Sequence, residues 1–358
     1  VIQFSKNKKI VKITKKKKQN YFATYSLVRT MRAGILVLGA LVAKHQKSIT
    51  SLPGGCLIGA RPVNYHLNAL KKLGMKYDIK KGYIHAHTVG NLKGAKIRFS
   101  KISVGATENT IIAACLANGI TILRNCAIEP EIIDLINFLK SGGAKIKFIG
   151  KRTLKIEGIK SLESTSYSVM SDRIETGTFC VAACLTGGKL KINNFDPKII
   201  KTELSLLKKI GAKIKVAKKQ INISGPKKIK NLTNLVTKEY PNFPTDLQAQ
   251  FMVLLCKAKG KSSITESIFE NRFMHVAELR RLGAEIIIKK NKAFISGDTN
   301  FQAAELMSSD LRASVALVLA AIVATGSSTI NRIYHLDRGY ENIENKLRKV
   351  GVNIRRVN

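Results

Sequence analysis

One element recurs along this chain at a nearly fixed spacing: an apolar helix end, a glycine, then a short alternating strand. It reads KKLGMKYDI, KSGGAKIKFI, KKIGAKIKVA, RRLGAEIIIK and RKVGVNI, with glycines at Gly74, Gly143, Gly211, Gly283 and Gly351. The intervals are 69, 68, 72 and 68 residues. Such a period marks a repeated supersecondary unit. Each glycine can take the left-handed conformation that ends a helix without steric cost. The alternation that follows, as in residues 212–216, is that of a half-buried strand.

A second helix belongs to the same unit. Its versions are MRAGILVLGALVA, NTIIAACLANG, TGTFCVAACLTGG, QAQFMVLLCKAKG and RASVALVLAAIVATG. All are apolar nearly all round and are expected to be buried. Four are expected to end at Gly119, Gly188, Gly260 and Gly326, each followed by a strand. One unit is therefore strand–helix–strand–helix–hairpin over about 70 residues, an α/β (α+β) pattern with sheets outside a helical interior. Three units to a domain predict two domains, 1–171 and 172–358. Residues 1–13 read as a hairpin with its turn at 5–8, the tail of a further unit. An even six-unit fold lacking its first part is the expectation.

Composition narrows the function classes. The net charge of +39 comes from 62 basic against 23 acidic residues. A nucleic-acid binder is one reading of such a charge. However, the 46 lysines run along the whole chain, and there is no Trp to offer a stacking platform. A solvated basic surface is the better reading. Six cysteines without a CxxC pair indicate a reduced interior, with Cys180 and Cys184 on one apolar helix. His85 and His87 share a strand face but have no Cys or carboxylate beside them, so no metal site is expected. The apolar runs 34–43 and 315–324 are far shorter than the roughly 18–20 residues that cross a bilayer. A cytoplasmic location follows as the expectation.

The sharpest local feature is LPGGCLIGARPV, residues 52–63. Its glycines make a loop of little intrinsic structure around Cys56. Arg61 is near enough in sequence to lower that thiol's pKa and to hold an anion. Such a thiol can serve as nucleophile or proton donor, whereas a buried structural cysteine would not need the glycines.

The loop does not stand alone. TMRAG (30–34), KISVGAT (101–107), EPEIID (129–134), SDRIETGTF (171–179), PNFPTDLQAQF (241–251), TESIFENRFMHV (265–276), DLRAS (310–314) and RIYHLDRGYENIE (332–344) follow in order. Together with the loop they resemble the UDP-N-acetylglucosamine enolpyruvyl transferase family over essentially the whole chain. The resemblance implies the two-domain inside-out α/β barrel of βαβαββ units, with the active site in the cleft. It implies transfer of enolpyruvyl from phosphoenolpyruvate to the sugar 3-hydroxyl, with no metal or organic cofactor.

Carried over by motif, Cys56 is the proton donor to the phosphoenolpyruvate methylene. Arg61 and Arg338 clamp its phosphate and carboxylate, and Asp246 takes the hydroxyl proton. The nucleotide sugar is assigned to Arg61, Pro62, Val63, Asn64, Tyr65, Lys101, Ile102, Ser103, Val104 and Ile268, with Arg32 and Arg312 facing the cleft. Read from the residues alone, Asp246 also fits a first-turn acid that complements a helix dipole. Arg338 also fits a surface pair with Asp337, and the other two arginines fit helix-start residues paired with loop carboxylates. The sequence departs from the family at Asn64, usually Asp, and at Ile128, usually Arg. The family's Gly-Ala-Lys-Asn motif has no counterpart in it.

The sister 5-enolpyruvylshikimate-3-phosphate synthases share fold and donor but lack the PGGC loop. An inactive fragment or basic binding protein of the same fold is the non-enzymatic reading. A kinase is disfavoured, because a P-loop ending at residues 260–262 would need glycine where Leu255 stands. The expected partners are the two small-molecule substrates, with no specific nucleic acid, no membrane, and a monomeric chain.

Overall fold

A computed structural model describes residues 2–5, 9–14, 20–28, 32–53 and 63–357, with Arg32 described by its backbone only. Two compact units emerge. One takes the described residues up to 53, Val63–Cys126 and Leu135–Tyr167; the other takes Ala127–Asp134 and the described residues from Ser168 onward.

The repeat is explicit in the sheets. In the first unit, strand Lys96–Arg98 leads to helix Val104–Ala114, strand Ile120–Arg124, helix Pro130–Ser141 and the hairpin Lys145–Gly150 with Thr153–Glu157. The strand at 96–98 pairs parallel with 120–124, which pairs antiparallel with 153–157, which closes the hairpin with 145–150. The same order is found in the sheet of Phe22–Ala23, Lys47–Ser51, Tyr83–His87 and Lys76–Lys80. The second unit repeats it with Leu235–Val236, Lys261–Thr265, Lys292–Ser296 and Ile286–Lys289. It also holds a three-stranded sheet of Lys189–Asn193, Gln220–Ser224 and Lys213–Ala217, and a parallel pair, Glu305–Met307 with Thr329–Asn331. The sheets stay separate; among the described residues none closes into a barrel.

The period-setting glycines do what their spacing requires. Gly74, Gly143, Gly211, Gly283 and Gly351 all have φ between 93° and 109°, where a Cβ would be strained. The second set of helix stops differs from expectation: Gly187, not Gly188, is the left-handed cap of helix Arg173–Thr186, and the helices expected to reach Gly119, Gly260 and Gly326 end earlier, at Ala114, Cys256 and Ile322. The apolar helices are the cores. All nine residues of helix Gln248–Cys256 are buried, as are eight of the twelve in Leu311–Ile322. Cys180 and Cys184 are fully buried, as expected of core positions. The hairpin at 2–13 is formed, Ile2 opposite Ile13 and Phe4 opposite Val11; of its expected turn at 5–8, residues 6–8 lie outside the described residues.

Residues 127–134 lie within the first 171 residues yet pack with the second unit, for a visible reason. Glu129 accepts the Tyr240 N–H at 3.3 Å, and Glu131 accepts Arg173 Nε at 2.8 Å. No helix among the described residues is long and apolar enough to cross a membrane.

Candidate active site

Asp246 is presented by a short 3-10 turn, Thr245–Leu247, that runs into the buried helix 248–256. Pro244 ends the preceding extended stretch, and the Phe243 ring packs edge-on against Phe251 with centroids 4.7 Å apart. The aspartate side chain is 40% exposed, while those of Arg272 and Arg312 are 4% and 14% exposed. Arg272 Nη2 donates to Asp246 Oδ1 at 2.7 Å, and Arg312 Nη2 donates to Oδ2 at 3.2 Å. Burial opposes the charge on Asp246, but the fields of Arg312, Arg272 and Arg173 outweigh it and hold the carboxyl well below its usual range. The helix-dipole reading is thus too simple: this acid is gripped by two guanidiniums.

The grip is built from both sides. Asp310 caps helix 311–322 by accepting the backbone N–H groups of Arg312 and Ala313, which fixes where Arg312 starts. Glu266 organises the other side. Its Oε1 accepts the N–H groups of Ile268 and Phe269 and the Thr237 hydroxyl; its Oε2 accepts the Thr245 hydroxyl at 2.9 Å. One buried carboxylate therefore sets the Ile268 loop and the Asp246 turn together.

Arg338 is exposed, at the end of the short helix Tyr334–Asp337. It does not pair with Asp337. That carboxylate is taken by Arg356 in a two-pronged contact at 2.7 and 2.9 Å, so Arg338 has no carboxylate partner among the described residues. A guanidinium left open in this way is suited to a ligand anion.

In the first unit, Ser103 caps helix 104–114 by accepting the Ala106 N–H at 3.3 Å, and Val104 is that helix's first residue. Lys101 is exposed, Ile102 half-buried. Asn64 opens helix Asn64–Lys72, exposed, its side chain turned back to the Tyr65 N–H. Val63 and Tyr65 are half-buried beside it. Beneath these segments, buried Asn109 accepts the Gly39 N–H at 2.9 Å and donates to the Ile35 carbonyl at 3.1 Å. Its Nδ2 also lies 3.1 Å from His66 Nδ1, so one amide fastens three helices. Cys56, Arg61 and Pro62 lie outside the described residues, as does the Arg32 side chain.

The other five cysteines are all buried. Burial pushes the thiols of Cys115, Cys126, Cys184 and Cys256 up to about 12, and raises Cys180 too. None of them is a useful nucleophile at neutral pH.

Known proteins fit this architecture. The family model described as EPSP synthase (3-phosphoshikimate 1-carboxyvinyltransferase) matches residues 1–347. The UDP-N-acetylglucosamine 1-carboxyvinyltransferase of Pelagibacter ubique is 62% identical over 358 residues, all of this chain and 85% of the relative. The enzyme of that name from Pseudoalteromonas atlantica is 50% identical over 338 residues, 94% of this chain and 81% of the relative. The chain belongs to the UDP-N-acetylglucosamine 1-carboxyvinyltransferase family.

Solved structures carry the same fold. The enolpyruvyl transferase NikO from Streptomyces tendae superposes with a TM-score of 0.85 at 22% identity, covering 99% of this chain and 84% of NikO. EPSP synthase from Acinetobacter baumannii gives 0.69 at 18% identity over 90% of the chain. The enolpyruvyl transferase fold and the enzyme family expected from the motifs both stand, and the binding-protein alternative has no support among the relatives.

Sequence reasoning overlooked Arg272, Glu266 and Tyr340, although all three lie inside quoted motifs. The signal was present in part. FENRFMHV sets an arginine directly before the apolar pair Phe273 and Met274, and a buried arginine needs a carboxylate. Which carboxylate it meets is a tertiary fact that no spacing supplies.

Proposed function

We propose that this enzyme transfers the enolpyruvyl group of phosphoenolpyruvate to the 3-hydroxyl of UDP-N-acetylglucosamine and releases phosphate. The observation that carries the reading is the 62% identity across the entire chain to a relative of that name. The geometry is in keeping with it. Buried Arg272, half-buried Arg312 and an open Arg338 offer sites for a multiply charged anion, and Asp246, held by the first two, is ionised as a base must be.

In this reaction Cys56 protonates the methylene carbon of phosphoenolpyruvate while the sugar oxygen bonds to its central carbon. Asp246 takes the hydroxyl proton. Loss of phosphate from the tetrahedral adduct, with one methyl proton, regenerates the double bond. Arg61 and Arg338 clamp the phosphate and carboxylate of the donor, and Arg32 and Arg312 are further substrate-binding residues. The nucleotide sugar meets residues 61–65, Lys101 to Val104 and Ile268. Arginines drawn toward the bound anion leave Asp246 less tightly held and more basic, so substrate binding itself readies the base.

The reaction is the first committed step of peptidoglycan precursor synthesis, which assigns the protein to cell-wall biogenesis, cell shape and division in the cytoplasm. It makes Cys56 the target of fosfomycin, an epoxide that mimics phosphoenolpyruvate. The protein acts as a monomer. The test is the mass spectrum of the nucleotide product after incubation with both substrates. An enolpyruvyl ether of the UDP-sugar is expected; unchanged UDP-N-acetylglucosamine would exclude the reading.

A further inference from the structure

Resting on that function, we propose that Tyr340 is a positioning residue that orients the Arg312 guanidinium for the anionic donor substrate. Tyr340 is fully buried, in a small apolar cluster with Val315, Val318, Leu336, Ile343 and Leu347. A phenol there must find hydrogen-bond partners. Its partners form a chain with a fixed direction. Thr178 spends its one proton on the Ile174 carbonyl at 2.9 Å, so toward Tyr340, also at 2.9 Å, its oxygen can only accept. Gln250 Nε2 donates to the same threonine oxygen at 3.2 Å. The tyrosine proton is thereby committed to Thr178, and the phenol oxygen keeps only acceptor capacity.

That capacity is aimed at cations and amides. Arg312 Nη1 and Gln250 Nε2 each lie 3.5 Å from the phenol oxygen, the long limit of a hydrogen bond. The Arg312 guanidinium also lies 5.8 Å from the ring centroid, within cation–π range. Arg312 is thus held at two points: Nη2 on Asp246, Nη1 on Tyr340. When a bound anion competes for the first contact, the second remains and fixes the plane of the fork. Tyr340 touches no reacting atom; it acts through Arg312.

Tyr340→Phe keeps the ring and its packing and removes only the oxygen. In steady-state assays of phosphate release, kcat/KM for phosphoenolpyruvate is expected to fall about tenfold, as for loss of one hydrogen bond to a charged group. KM for UDP-N-acetylglucosamine should stay within about twofold and the melting temperature within about 4 °C. In an Arg312→Lys background the same substitution should add little, because the route runs through Arg312. Thr178→Val, which frees the tyrosine proton, should give a smaller loss in the same direction. Equal losses for both substrates, or full additivity with Arg312→Lys, would overturn the role. If the parent turns over and Tyr340→Phe matches it, the role of Tyr340 alone falls; if the parent itself does not turn over, the function falls and this role with it.

Discussion

Asp246 Oδ1 accepts a 2.7 Å hydrogen bond from Arg272, an arginine whose side chain is only 4% exposed. Arg312 holds the other oxygen. The pair of contacts keeps the carboxylate charged and, at rest, weakly basic. Asp246→Asn keeps the size of the side chain and removes the base. Its kcat is expected to fall about 10²–10⁴-fold, the usual loss for a general base. It also leaves buried Arg272 and half-buried Arg312 without their anion, so a lowered melting temperature should accompany the loss. Turnover equal to the parent's would remove Asp246 from the chemistry.

Thiol chemistry should be confined to one residue. Five cysteines are buried, four of them with thiols raised to about 12. Fosfomycin at neutral pH is expected to modify Cys56 alone in the folded protein, read by peptide mass mapping. Adducts on Cys115 or Cys256 at comparable occupancy would contradict this.

Glu203 gives a pH dependence with a definite sign. Burial, only partly offset by a backbone hydrogen bond and Arg173, raises it from an ordinary value near 4.5 to about 7. Between those values the folded chain holds a proton that the unfolded chain has lost. The contribution of Glu203 to stability therefore falls as pH rises from about 4.5 to about 7 and is flat above. His275, buried and lowered to about 4, acts in the opposite direction over part of this window. Glu203→Gln isolates the effect: the gap in melting temperature between variant and parent should shift in the variant's favour from pH 5 to pH 7.5. A gap independent of pH would mean that Glu203 ionises normally.

The close approach of two helices in the first unit is set by Gly39. A Cβ there would collide with the backbone and side chain of Asn109. Gly39→Ala, ordinarily favourable inside a helix by roughly 0.5–1 kcal/mol, is expected to destabilise by about 1–3 kcal/mol here through overpacking. Chemical denaturation measures it, and a stabilised variant would show that the helices can separate freely.

Much of this was legible in the chain itself. The 70-residue period gave the βαβαββ unit because each glycine stop and each all-apolar helix is a local signal. Asp246 and Arg312 were found through motifs, and their pairing was not, since they are 66 residues apart in sequence. The pairing of Arg338 with Asp337 read plausibly from adjacency. It failed because Arg356, eighteen residues further on, presents both nitrogens to that carboxylate. The attachment of residues 127–134 to the second unit was equally hidden: it depends on Glu129 and Glu131 meeting Tyr240 and Arg173. Local stops and periodicities are written in sequence; the partner of a buried charge is written only in the fold.

Acceptor-dependent phosphate release is the most direct test of the assigned chemistry. With phosphoenolpyruvate present, phosphate should appear only when UDP-N-acetylglucosamine is added, and shikimate 3-phosphate should not replace it. Release driven by shikimate 3-phosphate, or release indifferent to any acceptor, would contradict the assignment.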